Sequence, residues 1–84
     1  MANVDVIALF RQAALEVLDR QFDDLSKTTV ISTLGLDSIA VIEMAGFLED
    51  KLDIQIPDDA LSQVETLGDL DALIQRLTAA KETA

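Results

Sequence analysis

The 84-residue sequence predicts an all-α fold, a four-helix bundle of three main helices plus one short helix, with a long ordered loop between helices one and two. Three observations predict it. Apolar residues recur at intervals of three and four in three separate stretches, the spacing that gathers them on one side of a helix. Residue types that favour helix starts, Asn3, Asp37 and Thr66, stand ahead of those stretches. The lone proline, Pro57, pushes Ile56 into an extended conformation and leaves space for only a brief helix after it. The length suits a single domain over 1–84, with an ordered core of about 4–79 and a tail of 80–84. No internal repeat or low-complexity segment interrupts it.

The elements follow in order. Asn3 is placed to cap a first helix from about Val4 to Arg20, in which Ile7, Phe10, Ala14, Val17 and Leu18 recur at helical spacing while Arg11, Gln12, Glu16 and Asp19 fall elsewhere. From Gln21 to Asp37, polar and turn-favouring residues surround isolated apolar anchors (Phe22, Leu25, Val30, Ile31, Leu34), the pattern of a loop pinned to a core. The second helix, about Ser38 to Lys51, carries two stripes. Val41, Met44, Ala45, Leu48 and Leu52 have inward spacing; Ile39, Ile42, Glu43, Gly46, Glu49 and Asp50 lie opposite. An extended connector, Asp53 to Ile56, leads to a short third helix within Asp58 to Gln63. Thr66 with Asp69 three residues on forms a capping-box variant that opens the last helix. There Leu67, Leu70, Ile74 and Leu77 point inward, and the polar end, Lys81 to Ala84, is expected to fray.

Composition removes whole classes of function. Sixteen acidic residues against six basic ones give a net charge of −10, which argues against nucleic acid and for basic partners. Without cysteine, the chain offers no disulfide, thiolate metal site or thiol nucleophile, and without histidine it has no Ser-His-Asp chemistry. The carboxylates show no alternating-ligand loop with a central glycine, so no metal site and no catalytic residue is expected. No apolar run nears the roughly 18–20 residues that span a bilayer, and no basic n-region precedes an apolar h-region. A cytoplasmic, monomeric protein without membrane contact is the expectation. Half of the residues are hydrophobic, with three Phe and no Trp or Tyr, so the core is mainly aliphatic and able to repack around an aliphatic guest.

One segment concentrates the chemistry: Leu34-Gly35-Leu36-Asp37-Ser38-Ile39. Gly35 permits a tight turn and Asp37 is a favoured N-cap type, so Ser38 falls in the first turn of the second helix, where backbone N–H groups lack partners. A phosphodiester on Ser38 suits the positive end of the helix macrodipole. The plainer alternative is a serine that merely caps the helix. On the opposite stripe, Glu43, Glu49 and Asp50, flanked by Asp37 and Asp53, make an acidic rim around Ile39 and Ile42, as a docking surface for basic partners would; the plainer alternative is solvated surface.

Three segments, Leu34-Gly35-Leu36-Asp37-Ser38-Ile39-Ala40-Val41-Ile42-Glu43-Met44, Leu48-Glu49-Asp50-Lys51-Leu52 and Ile54-Gln55-Ile56-Pro57-Asp58, closely resemble the acyl carrier proteins. The resemblance is close over roughly the last two-thirds of the chain and extends to the first third by pattern. It implies that Ser38, beside Asp37, carries a 4′-phosphopantetheine arm placed by a phosphopantetheinyl transferase from coenzyme A. It implies that acyl intermediates ride on the arm as thioesters, and that acyltransferases, ketosynthases and other synthase enzymes with basic patches dock on Ile39, Ile42, Glu43, Gly46, Glu49 and Asp50. Two positions depart from the pattern of many fatty-acid carriers: Ala40 stands in place of an acid and Gly46 in place of a bulky residue. They tilt the reading from housekeeping fatty-acid synthesis toward a polyketide or other natural-product pathway. The alternatives are an aminoacyl, peptidyl or D-alanyl carrier and, in another class, an acidic helical adaptor without a prosthetic group. Leu34, Met44, Ala45, Leu48, Leu61, Val64 and Leu67, without aromatic walls or buried cations, are expected to open an apolar slot for the acyl chain.

Overall fold

In a computed structural model that describes residues 4–83, with side chains for 4–81, the chain is helical. Four α-helices are present among the described residues: α1 (Val6–Leu18), α2 (Ser38–Leu52), α3 (Asp58–Leu61) and α4 (Leu67–Thr83). The loop between α1 and α2 holds a 3₁₀ turn, Ile31–Leu34, that periodicity alone did not announce.

Helix α1 is shorter at both ends than expected. Asp5 caps it, its carboxylate accepting from the Ala8 N–H at 3.1 Å, while the cap expected at Asn3 lies outside the described residues. At the other end Asp19 turns left-handed (φ 54°), and its own N–H and that of Arg20 close over the carbonyls of Leu15 and Ala14. Short polar residues tolerate that conformation better than most. Asp53 (φ 54°) ends α2 in the same way, with its N–H and that of Ile54 returning to the Glu49 carbonyl. The short α3 stops at Leu61 rather than Gln63, and Ser62 Oγ donates to the Asp59 carbonyl at 2.7 Å as the chain turns away.

The core joins Val6, Phe10, Ala13 and Ala14 of α1, Met44, Ala45 and Leu48 of α2, Ile54 and Ile56 of the connector, and Leu67, Leu70, Leu73 and Ile74 of α4. Val6, Ala13 and Leu73 join the residues that the spacing assigned. Ala13 and Ala14 are wholly buried where α1 packs on both α2 and α4, small side chains that let helices approach closely. A buried leucine such as Leu48 contributes about 1.5–3 kcal/mol.

The loop is stitched to the start of α4. Val30 and Thr66 form an antiparallel bridge, Ile31 N–H donates to the Glu65 carbonyl at 2.8 Å, and the N–H groups of Leu67 and Gly68 donate to Thr29 and Lys27. Those two amides belong to the first turn of α4, where no intrahelical acceptor exists, so the loop completes the helix end. Gly68 permits the approach, since a Cβ there would lie 2.9 Å from the Lys27 carbonyl oxygen. At its far end α4 continues through Thr83, past the point where fraying was expected. Lys81 Nζ reaches the Leu52 carbonyl at 3.1 Å and the Asp53 carboxylate at 3.2 Å, holding the last turns against the C-terminus of α2.

Candidate functional site

The α2 start is built residue by residue. Gly35, at φ 74°, ends the 3₁₀ turn in the left-handed region. Arg20 holds the turn from outside, Nη1 donating to the Gly35 carbonyl and Nη2 to that of Leu34, each at 3.2 Å. Asp37 is then extended (φ −87°, ψ 177°), and its Oδ1 accepts from the Ala40 N–H at 2.8 Å. Asp37 is therefore the cap, and Ser38 is the first helical residue with an exposed side chain. The plain-capping alternative for Ser38 fails on this geometry: its Oγ has no hydrogen-bond partner among the described residues. The N–H groups of Ser38 and Ile39 stand at the first two helical positions, beyond reach of an intrahelical acceptor and at the positive end of a 15-residue helix. This is a hydroxyl free to be esterified beside donors suited to a phosphate. The neighbouring Asp37 carboxylate accepts the Ala40 N–H through Oδ1, so the capping role falls to it and not to Ser38.

The expected docking residues divide. Ile39 and Ile42 are 68% and 61% exposed, large apolar side chains turned to solvent on one helix face. Glu43 and Asp50 are exposed beside them. Around Gly46 there is open space, with nothing within 4 Å of where a Cβ would stand. Glu49 differs from the role expected of it: its Oε2 turns inward and accepts from the Ile56 N–H at 2.7 Å, holding the α2–α3 connector. It is half-buried and bonded because the connector's extended backbone passes beside the last turns of α2.

A cavity of about 790 Å³ opens beside this site, with Ser38 itself on its wall. Met44, Ala45, Leu48, Leu61 and Val64 line it, as the sequence suggested, together with Leu36, Val41 and Ile42. Two assignments change. Leu67 is wholly buried, its backbone paired with Thr29, so it belongs to the core; Leu34 sits in the 3₁₀ turn held by Arg20 and packs on the core away from the wall. The expectation of walls without aromatic rings is also corrected, because Phe10 contributes to the lining. Ser32, Asp58, Ser62 and Glu65 add polar groups that helical periodicity did not identify, since they come from the 3₁₀ turn, the first residue of α3 and the segment after α3, brought together only by the fold.

Known proteins share this fold. The family model for the phosphopantetheine attachment site matches residues 8–74, which include Ser38. The acyl carrier protein of Caulobacter vibrioides (strain NA1000 / CB15N) is 34% identical over 76 residues, covering 89% of this chain and 97% of that protein. The crystal structure of an acyl carrier protein from Thermotoga maritima superposes with a TM-score of 0.82 at 26% identity, over 94% of this chain and 91% of that one. The solution structure of the acetyl actinorhodin acyl carrier protein from Streptomyces coelicolor gives a TM-score of 0.69 at 27% identity, over 100% of this chain and 95% of that one.

Proposed function

We propose, proceeding from the fact that this chain belongs to the acyl carrier protein family and so carries a phosphopantetheine group, that Ser38 Oγ is where the group is attached. The observation that carries the assignment is an exposed, unpartnered hydroxyl at the first position of α2, next to an aspartate that has already taken the capping role. When bound, the group supplies a thiol that holds acyl chains as thioesters.

The chain's own residues do the rest of the work. Asp37 holds the helix start rigid, and the N–H groups of Ser38 and Ile39 favour the phosphate oxygens. The cavity beside Ser38 takes up the apolar part of a tethered acyl chain, each CH₂ withdrawn from water being worth about 0.8 kcal/mol before repacking. Ile39 and Ile42, rimmed by Glu43 and Asp50, dock the transferase and then the synthase enzymes through their basic patches, in brief, electrostatically steered encounters. Gly46 leaves space for a partner to approach that face. Catalysis belongs to those partners, and the chain acts as a monomeric cytoplasmic carrier. Ala40 and Gly46 on the docking helix, and the polar groups on the cavity wall, favour oxygenated polyketide-type cargo over a plain fatty chain.

The test is direct. Incubated with coenzyme A, Mg²⁺ and a broad-range phosphopantetheinyl transferase, the wild-type chain should gain the mass of one arm while Ser38→Ala, with unchanged helicity, gains none. An arm on the alanine variant overturns the assignment.

A further inference from the structure

Arg20 is one of six basic residues in a chain with sixteen acidic ones, yet its guanidinium bonds two backbone carbonyls. It reaches fourteen and fifteen residues along the chain to Leu34 and Gly35, one nitrogen on each of two successive carbonyls at 3.2 Å. A planar fork matches two such acceptors; an ammonium on a flexible stem matches one at a time. The guanidinium is backed by the Phe22 ring, 5.0 Å from its centroid. Phe22 is fixed in turn by Arg11 Nε on its carbonyl at 3.0 Å and by the ring of buried Phe10, with 6.4 Å between centroids. The fork is thus tied to the core of α1. Its other end holds the left-handed turn that delivers the chain to Asp37 and Ser38, and among the described residues it is the side chain that hydrogen-bonds the Leu34 and Gly35 carbonyls.

We propose that Arg20 is a positioning residue for the modification of Ser38: its fork on Leu34 and Gly35 keeps the turn in the geometry that presents the hydroxyl to the transferase. The proposal rests on Ser38 being the attachment point. In the transfer the Ser38 oxygen bonds to phosphorus, the pyrophosphate bond of coenzyme A breaks, the nucleotide leaves with the electron pair, and the transferase takes the hydroxyl proton. Arg20 touches none of these atoms. It acts by keeping the competent form of the substrate protein populated, and an apparent affinity falls by the same factor as that population. Its loss therefore raises KM and spares kcat. Charge alone predicts the reverse, because removing a cation makes the chain more acidic and quickens its encounter with a basic partner.

The experiment compares apo wild type, Arg20→Lys and Arg20→Gln in arm transfer from coenzyme A, with thermal melts and amide NMR spectra of the three apo chains. Both variants should melt cooperatively with native helicity, raise KM for the carrier by about tenfold and hold kcat within about twofold. Their amide shifts and exchange broadening should centre on Leu34 to Ala40, leaving Leu48 and Ile74 in place. If either variant is unfolded, Phe22→Leu, which removes the backing ring and keeps the fork, should show the same signature at smaller amplitude. Wild-type KM in both Arg20 variants, or full recovery of KM by lysine, overturns the proposal. A wild-type chain that accepts no arm overturns the Ser38 assignment itself and this proposal with it; a modified wild type with indifferent variants overturns only this one.

Discussion

Glu49 and Glu43 lie on one stripe of α2, but they do different things. Glu49 accepts the Ile56 N–H at 2.7 Å, whereas Glu43 and Asp50 face solvent. Glu49→Ala should therefore lower unfolding stability by about 1–3 kcal/mol in urea titrations, since it leaves a part-buried amide without its acceptor. Charge reversal at Glu43 or Asp50 should cost only ~0–1 kcal/mol. The glycines separate just as sharply. Gly46→Ala places a methyl group in open space and should raise stability by roughly 1 kcal/mol, while Gly68→Ala meets the Lys27 carbonyl and should lower it by about 1–3 kcal/mol. Thermal melts of the pair check both signs. Helical spacing put Glu49 on the docking stripe, but its bond to a residue seven positions later depends on where the connector runs. The Asp37-Ser38 junction was legible because capping is local; the fork from Arg20 was not, because it closes only when the loop folds back on α1.

The start of α4 shows what an element draws from its own sequence and what it takes from its neighbours. The reciprocal box is present: Thr66 Oγ1 accepts from the Asp69 N–H, and Asp69 Oδ2 accepts from the N–H groups of Glu65 and Thr66, each at 3.1 Å. The backbone bonds from Glu65 and Thr66, with a further contribution from the Thr66 hydroxyl, hold the Asp69 carboxyl below its ordinary value of 3.8. A depressed carboxylate contributes stability that is present above the unfolded value and is lost as pH falls through the folded one. Wild type should accordingly lose stability relative to Asp69→Asn on acidification below about pH 4, with the gap largest at neutral pH. Melting temperatures of the two proteins across that range measure it. The pair Thr66 and Asp69 could be read from three-residue spacing. The loop carbonyls of Thr29 and Lys27 on the next amides could not, because non-local backbone pairing leaves no periodic trace, nor could the 3₁₀ turn at Ile31–Leu34, which is too short to show one. Asp5, a cap type two residues from the expected one, shows how interchangeable start signals blur a boundary.

At the scale of the molecule, the proposed carrier role rests on the net charge of −10 and on the cavity beside Ser38. The double reversal Glu43→Lys, Asp50→Lys should reduce kcat/KM for arm transfer by about tenfold at low salt, an effect that rising salt erases as it slows the wild type. An unchanged rate at low salt would make this face ordinary surface. If the cavity shelters cargo, a decanoyl thioester should raise the melting temperature above that of a hexanoyl thioester and shift the amides of Met44, Leu48 and Leu61. Shifts confined to the surroundings of Ser38, with no gain in stability, would leave the chain in solvent. Fold class and the exposed Ser38 at the start of α2 were legible from periodicity and capping, whereas the cavity wall was legible only in part, because Phe10 and the polar groups of Ser32 and Ser62 reach it from elements distant in sequence. The most direct test of the carrier role is tandem mass spectrometry of the protein purified from its native host. A phosphopantetheine mass localised to Ser38 is the expected result; the bare sequence mass, or the same mass on Ser32 or Ser62, overturns the assignment.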